Sequence, residues 1–314
     1  MRTRRLLAAA AVCALVAAPP ASRAAGTTVL RVGATGNDTA AEVYYAQERG
    51  LFRKHGLDVR IVGLRNGAAQ AAAVAGGALE IGEQNVVSMA HAHARGIPFI
   101  YIAPAGEYSA RASTTSLVVA RASALRDGKD FAGKSVAVNA LGDLTQIGAS
   151  AWIDRHGGDS TGVRFIEMPA AQIGAAVARG TVDAGVIPEP SLTVALAAGQ
   201  VRVLAQPYDA LAPRFMINGW FANADWVRKN PDAVRAFVAA VREAGAWANA
   251  HPDDSAKILE AHAKLDPAVV TRMRRATYGD RFDAASLQTV LDDAVRYKGL
   301  DRTIKAGELF DADI

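Results

Sequence analysis

Ala73-Val-Ala-Gly-Gly-Ala-Leu-Glu-Ile-Gly82 and Ala176-Val-Ala-Arg-Gly-Thr-Val-Asp-Ala-Gly185 are one phrase, A-V-A-x-G-x-[LV]-[ED]-x-G, written twice. In each copy a small-residue helix runs into glycine and then into a short apolar strand, and the surroundings repeat with it. Upstream of the first copy, Val29–Val32 reads as a strand. Thr39 and Glu42 then fit a capping box, opening a helix over Ala40–Arg49 that stops at Gly50. Asp58–Leu64 is a second strand, followed by a helix over Ala68–Ala75 and a strand over Leu79–Gly82. Asn85–Arg95 predicts a helix ended by Gly96, and the apolar run Phe99–Ala103 predicts a strand buried on both faces. Around the second copy the order is strand Lys134–Asn139, helix Leu144–Arg155, strand Val163–Met168, helix Gln172–Arg179 and strand Ala184–Ile187. Strands separated by helices of this length predict parallel α/β sheets, and the repeated phrase predicts two lobes built alike.

The tail differs. Phe215–Phe221 predicts a strand. Pro231–Ala250, Asp254–Lys264, Pro267–Ala276 and Ala284–Tyr297 all carry helical periodicity, three of them starting at or near proline. Such a tail is expected to pack back on the first lobe and brace it.

At the other end, MRTRRLLAAAAVCALVAAPPASRA (residues 1–24) has a basic start, an apolar run from Leu6 to Ala18 and a small-residue exit, the pattern of a secretory signal peptide. The 13-residue apolar run is shorter than the roughly 20 residues that span a bilayer. Thr3-Arg4-Arg5 resembles a twin-arginine signal, but the basic region is short and ordinary export fits better. The stretch holds four of the chain's 35 basic residues (Arg2, Arg4, Arg5 and Arg23), so 31 basic face 31 acidic residues after cleavage. That balance argues against nucleic acid as a partner, which requires a basic footprint. The single cysteine, Cys13, goes with the leader, removing disulfides, thiolate nucleophiles and cysteine-ligated metals from the expected mature protein. The expected location is the periplasm.

Ligands of open α/β sheets bind beyond the carboxyl ends of the strands, so two such lobes face each other across a shared cleft. The loops at those ends are Gly33–Thr39, Arg65–Gly67, Gly82–Ser88, Asn139–Gln146 and Ile187–Ser191, rich in Gly, Asn, Gln, Ser and Thr and mostly leading into helix N-termini. Unpaired N–H groups and the helix dipole suit such termini to anions. Asp38, Glu83, Asp143 and Glu189 resist that reading. Two of them are expected only to cap helices, whereas Glu83 or Glu189 would accept from a ligand amine or hydroxyl. Arg65 or Arg111 would supply positive charge, and Tyr44, Tyr108 and Trp220 are either ring-stacking or core residues.

Several sharper motifs fail in context. Gly128–Ser135 (GKDFAGKS) matches a phosphate loop letter for letter, but the strand-like Val136–Val138 follows it instead of a helix. His91 and His93 are two apart on a helix and face different ways, so no metal pair is expected. No Gly-x-Ser-x-Gly elbow is present.

The stretch EVYYAQERGLFRKHGLDV (residues 42–59) resembles the A-x-x-x-G-L-F-x-x-x-G-L-x-V signature of ABC-transporter solute-binding proteins of the nitrate/sulfonate/taurine type, whose relatives bind thiamine-pyrimidine precursors. DFAGKSVAV (130–138), GTVDAGVIPEP (180–190) and NPDAV (230–234) are similar to that family's second-lobe opening, its G-x-V-D-A…E-P run and a helix start. The resemblance implies an α/β, two-lobed periplasmic binding protein type II fold, each lobe a mainly parallel sheet flanked by helices, with a helical C-terminal tail. Residues 27–110 would begin lobe 1, 111–214 would form lobe 2, and 215–314 would return to lobe 1. It implies a non-enzymatic receptor, a monomer without cofactor or metal, that closes on a small organic anion or zwitterion and hands it to an inner-membrane ABC permease. By position, Gly36, Asn37, Asp38, Thr39, Gln84, Asn85, Asn139, Gly142, Asp143, Leu144, Thr145 and Glu189 would line the pocket, with Glu83 and Arg65 added from the loop reading. Glu83 is a departure from simple oxyanion binders. The alternatives are a thiamine-pyrimidine synthase-like enzyme, which resembles the family in the GLF segment but carries a cysteine-rich motif absent here, and a sensory ligand-binding protein.

Overall fold

The computed structural model describes residues 28–64 and 67–310. The leader expected over 1–24, with Cys13, and the candidate Arg65 lie outside the described residues. The chain begins with β1 (Thr28–Ala34), α1 (Glu42–Glu48), α2 (Leu51–Lys54), β2 (Leu57–Gly63), α3 (Gly67–Ala75), β3 (Ile81–Asn85), α4 (Val86–Ala94), β4 (Phe99–Pro104) and β5 (Gly106–Ser109). It crosses on β6 (Thr115–Ala120) into β7 (Ser135–Val138), α5 (Leu144–Arg155), β8 (Arg164–Glu167), α6 (Ala170–Ala178), β9 (Ala184–Pro188), α7 (Ser191–Ala197) and β10 (Val201–Ala205). It returns through β11 (Arg214–Met216) and β12 (Asn218–Asn223). It ends in α8 (Ala224–Lys229), α9 (Pro231–Ala250), α10 (Pro252–Ala263), α11 (Pro267–Arg272), β13 (Thr277–Tyr278) and α12 (Ala284–Arg296).

Two five-stranded sheets result, ordered β2-β1-β3-β12-β4 and β8-β7-β9-β6-β10. Position by position they are the same sheet. In each, the fourth strand alone runs antiparallel to both neighbours, and it is the strand on which the chain crosses between sheets. The remaining strands pair in parallel, as βαβ connections dictate. A small antiparallel sheet, β11-β5-β13, lies between them and holds the two crossing segments side by side.

The repeated phrase makes the same local structure twice. Gly77 and Gly180 end their helices at φ +70° and +72°, a conformation that favours glycine. The acid three residues later then clasps the equivalent strand of its own sheet, β1 or β7. The Glu80 carboxylate accepts from the Arg31 backbone N–H at 2.7 Å, and the Asp183 carboxylate from that of Ser135 at 2.8 Å. Against the upward push of burial, hydrogen bonds from Arg31 and Ser135 hold both carboxyl groups below their usual range.

Some boundaries differ from the sequence reading, for local reasons. The first helix begins at Glu42, not Ala40, and Thr39 does not cap it. The Thr39 hydroxyl donates to Asn37 and accepts from Asn218 instead, and the Glu42 side chain is buried in the core. The strand expected over Leu79–Gly82 runs two residues later, because Ala78 and Leu79 still hydrogen-bond back to Ala73. Glu83 and Gln84 therefore sit on a strand, not in a loop. Phe215–Phe221 is two strands in different sheets, broken at Ile217. The helix from Pro267 ends at Arg272, and the following residues turn inward toward Asp38.

The tail does more than brace one lobe. Helix α9 packs on α1, α2, β2 and β4, joining the core around Trp220, Phe237 and Tyr45, whereas α12 packs on α4 of the first sheet's layer and on α5 of the second's. A second apolar cluster runs unbroken from α4 through Tyr108, Phe215 and Tyr208 to α5, so one flank of the two lobes shares a core.

The phosphate-loop lookalike is a packing device. A Cβ on Gly128 would lie 2.2 Å from the Ile153 carbonyl oxygen and 2.8 Å from that of His156. Gly128→Ala is expected to destabilise the protein by about 1–3 kcal/mol through overpacking against backbone. Lys134→Ala removes only an exposed pair with Asp183 and should cost under about 1 kcal/mol. Urea denaturation of both variants checks the contrast.

Candidate functional site

The carboxyl ends of β1, β3, β7 and β9 meet around a cleft of about 590 Å³. Twelve of the fourteen candidate residues line it: Gly36, Asn37, Asp38, Thr39, Glu83, Gln84, Asn85, Asn139, Asp143, Leu144, Thr145 and Glu189. Gly142 does not. It turns at φ +70° against Gly299 before α12's successor loop, and its N–H donates to Gln146. Arg65 lies outside the described residues, and Arg111 is exposed away from the cleft. Tyr44, Tyr108 and Trp220 are core residues. The aromatic ring that does reach the cleft is Tyr208. Sequence reasoning missed it, as it missed Thr114, Thr115 and Asn218. Asn218 had a signal: a single amide opening an apolar strand beside glycine.

The acidic residues play four different parts. Asp38 is 2% exposed and receives both arms of the Arg275 guanidinium, each at 2.9 Å, together with the Ala276 N–H and the Tyr278 hydroxyl. Burial opposes the Arg275 charge, yet the hydrogen bonds and opposite charge of Asp38 keep its pKa above the usual value. Only the backbone side of Asp38 is left for the cleft. Asp143 precedes α5 without capping it. Its carboxylate reaches across the cleft to the Asn85 amide at 2.9 Å and the Ser88 hydroxyl at 3.4 Å. Glu189 caps the start of α7 through Thr193 and accepts from the Arg274 N–H at 3.3 Å, a second link between the lobes.

Glu83 differs from these three. It is 3% exposed, and three neutral donors orient it: the Thr35 hydroxyl at 2.7 Å, the Gln70 amide at 3.2 Å and the Asn218 amide at 2.9 Å. Burial raises its pKa, and hydrogen bonds from the Thr35, Gln70 and Asn218 side chains and the Thr35 backbone only partly offset that. Burial likewise raises Asp143 and Glu189, with His91 and Arg274 nearby working against it. Behind Glu83, buried Glu42 is pushed well above the usual range by burial, with Glu83 and Asp38 adding to the push. Among the described residues lining the cleft there is no lysine, arginine or histidine. Two lining amides also have a buried oxygen without a hydrogen-bond partner, Oε1 of Gln84 and Oδ1 of Asn139.

The profile of one sequence family, described as NMT1/THI5 like, matches residues 37–255, most of both lobes. The chain belongs to that family. A Bacillus subtilis protein provisionally named as aliphatic sulfonates-binding is 24% identical over 278 residues, covering 85% of this chain and 81% of its own length. Among solved structures, the periplasmic aliphatic sulphonate binding protein from Escherichia coli superposes with a TM-score of 0.75 at 20% identity, covering 90% of this chain and 92% of that one. The periplasmic nitrate-binding protein from Synechocystis superposes at 0.74 with 17% identity, covering 89% and 84%. The fold of this NMT1/THI5-like protein is thus the two-lobed fold of periplasmic binding proteins. No helix among the described residues is long and apolar enough to cross a membrane.

Two outcomes follow for the family member's electrostatics. Arg275→Met leaves the Asp38 charge buried and uncompensated, which should cost about 3–5 kcal/mol in urea denaturation. Carboxyl groups whose folded pKa is raised stabilise the fold fully below their unfolded pKa, about 4, and lose that contribution as pH rises through the folded value. The empty protein should therefore melt at a higher temperature at pH 5 than at pH 8, and Glu83→Gln should narrow the difference. Melting curves across that range check it.

Proposed function

We propose that this protein is an extracytoplasmic solute-binding receptor, without catalytic activity, that hands a small organic solute to an ABC importer. The observation that carries this reading is the cleft itself: a polar space of about 590 Å³, between two matched sheets, holding buried amide oxygens with no partner. That volume suits a small molecule. The names of the Bacillus, Escherichia and Synechocystis relatives support the class. The N-terminal stretch supports export to the periplasm, with the permease as membrane partner and a monomeric receptor. The lobes divide near residues 110 and 214, where β5 and β11 run side by side as the hinge.

Of the two solute classes suggested by the sequence, a zwitterion fits better than an anion. The N-termini of α5 and α6 offer N–H groups to an acidic end at Leu144, Thr145 and Ala170. The carboxylates across the cleft disfavour net negative charge. Closure is a hinge motion driven by contacts to both lobes.

A solute at 100 times its dissociation constant should add about 2.7 kcal/mol to stability. It should also reduce the radius of gyration in small-angle scattering. A broad screen of organic acids, amino acids, sulfonates and pyrimidines that changes neither quantity would overturn the receptor reading.

A further inference from the structure

Resting on the receptor reading, we infer that the solute carries a protonated amino or amidino nitrogen that docks on the Glu83 carboxylate, with the Gln84 side-chain amide as a second contact. Solutes of net negative charge are accordingly rejected.

The fold shows what it does with a buried carboxylate whose charge is to be silenced: Asp38 receives a bidentate arginine. Among the described residues Glu83 receives none. Its Oε1 takes Thr35 and Gln70 and its Oε2 takes Asn218, which leaves acceptor capacity on Oε2. All three donors are neutral, and they fix the carboxylate against β1, α3 and β12. The ionisable groups that interact with it, Glu42 and Tyr101, carry no positive charge, and Asp38, which lies near Glu42, is paired with Arg275. Tyr44, also close, adds no positive charge. A clamp between strands needs only neutral side chains. A charge held in place by neutral donors and, among the described residues, without a cation is an acceptor awaiting one.

Gln84 supplies the independent observation. It is 5% exposed and lines the same cleft, and its Oε1 is buried with no partner. Buried side-chain acceptors are almost always satisfied, so this one calls for a donor from outside the chain.

The test uses mature full-length protein and paired probes that differ in the amino group: β-alanine and propionate, taurine and ethanesulfonate, 4-(aminomethyl)benzoate and 4-methylbenzoate. Calorimetric titration should show binding by an amino member at least tenfold tighter than its deamino partner. Glu83→Gln should weaken that binding tenfold or more while melting, without probe, no lower than the parent at pH 8. Should that variant fold poorly, Gln84→Leu, which leaves all charges in place, should weaken the same probe at least threefold. Deamino members that bind as tightly, or variants that bind unchanged, overturn the inference and leave the receptor reading standing. If no probe binds and native mass spectrometry of freshly exported protein finds no solute, both fall together.

Discussion

The pairing of Asp38 with Arg275 is the interaction on which the site depends. The two residues are separated by most of the chain, one in the loop after β1 and one between α11 and β13. Their junction is nearly dry. Desolvating both charges is costly, and the cost is met only because the geometry is bidentate and the remaining carboxylate lone pairs take the Ala276 N–H and the Tyr278 hydroxyl. Tyr45 joins the same network through its hydroxyl. The first binding loop is thereby tied to the C-terminal segment. Thr39 is held close enough to Gly106 that a Cβ there would meet its backbone at 2.7 Å. The loop, β5 and the tail form one wall of the cleft.

Much of this architecture could be read from the chain before any coordinates, because its cause is local. The twice-written phrase encodes a helix stop, a turn and an acid that clasps the neighbouring strand, and all three are short-range events. Pro231–Ala250, with its strong periodicity, and Leu144–Arg155, stopped by Gly157-Gly158, keep the expected limits. What could not be read depends on partners far away in sequence. Thr39 looked like a cap because nothing nearby announced Asn218, 179 residues on, as its competing partner. Asp143 looked like a helix cap, and its side chain instead spans the cleft to Asn85. The antiparallel sense of β6 and β12 goes with each being the strand on which the chain enters a sheet from the other, a property of the path and not of composition.

The same division holds for the site. Loops at strand ends were visible as Gly- and Asn-rich breaks, so most lining positions could be placed. Their chemistry could not. Four acids in similar loops have four fates: neutralised by arginine, bridging the lobes, capping α7, and held by neutral donors. Only the packing around each decides which. Tyr208 escaped notice because its short turn lies after β10, outside any strand-end loop that the periodicity marked.

Helix α12 lies against α4 on one side and α5 on the other, and Gly299 just beyond it touches the loop at Gly142. The two halves therefore cannot swing apart like covers of a book about β5 and β11 alone. Any parting of the cleft must slide α5 along α12 on that flank, where the apolar cluster is continuous, and on the opposite flank must separate α7 from α11 and break the Glu189 bond to the Arg274 backbone.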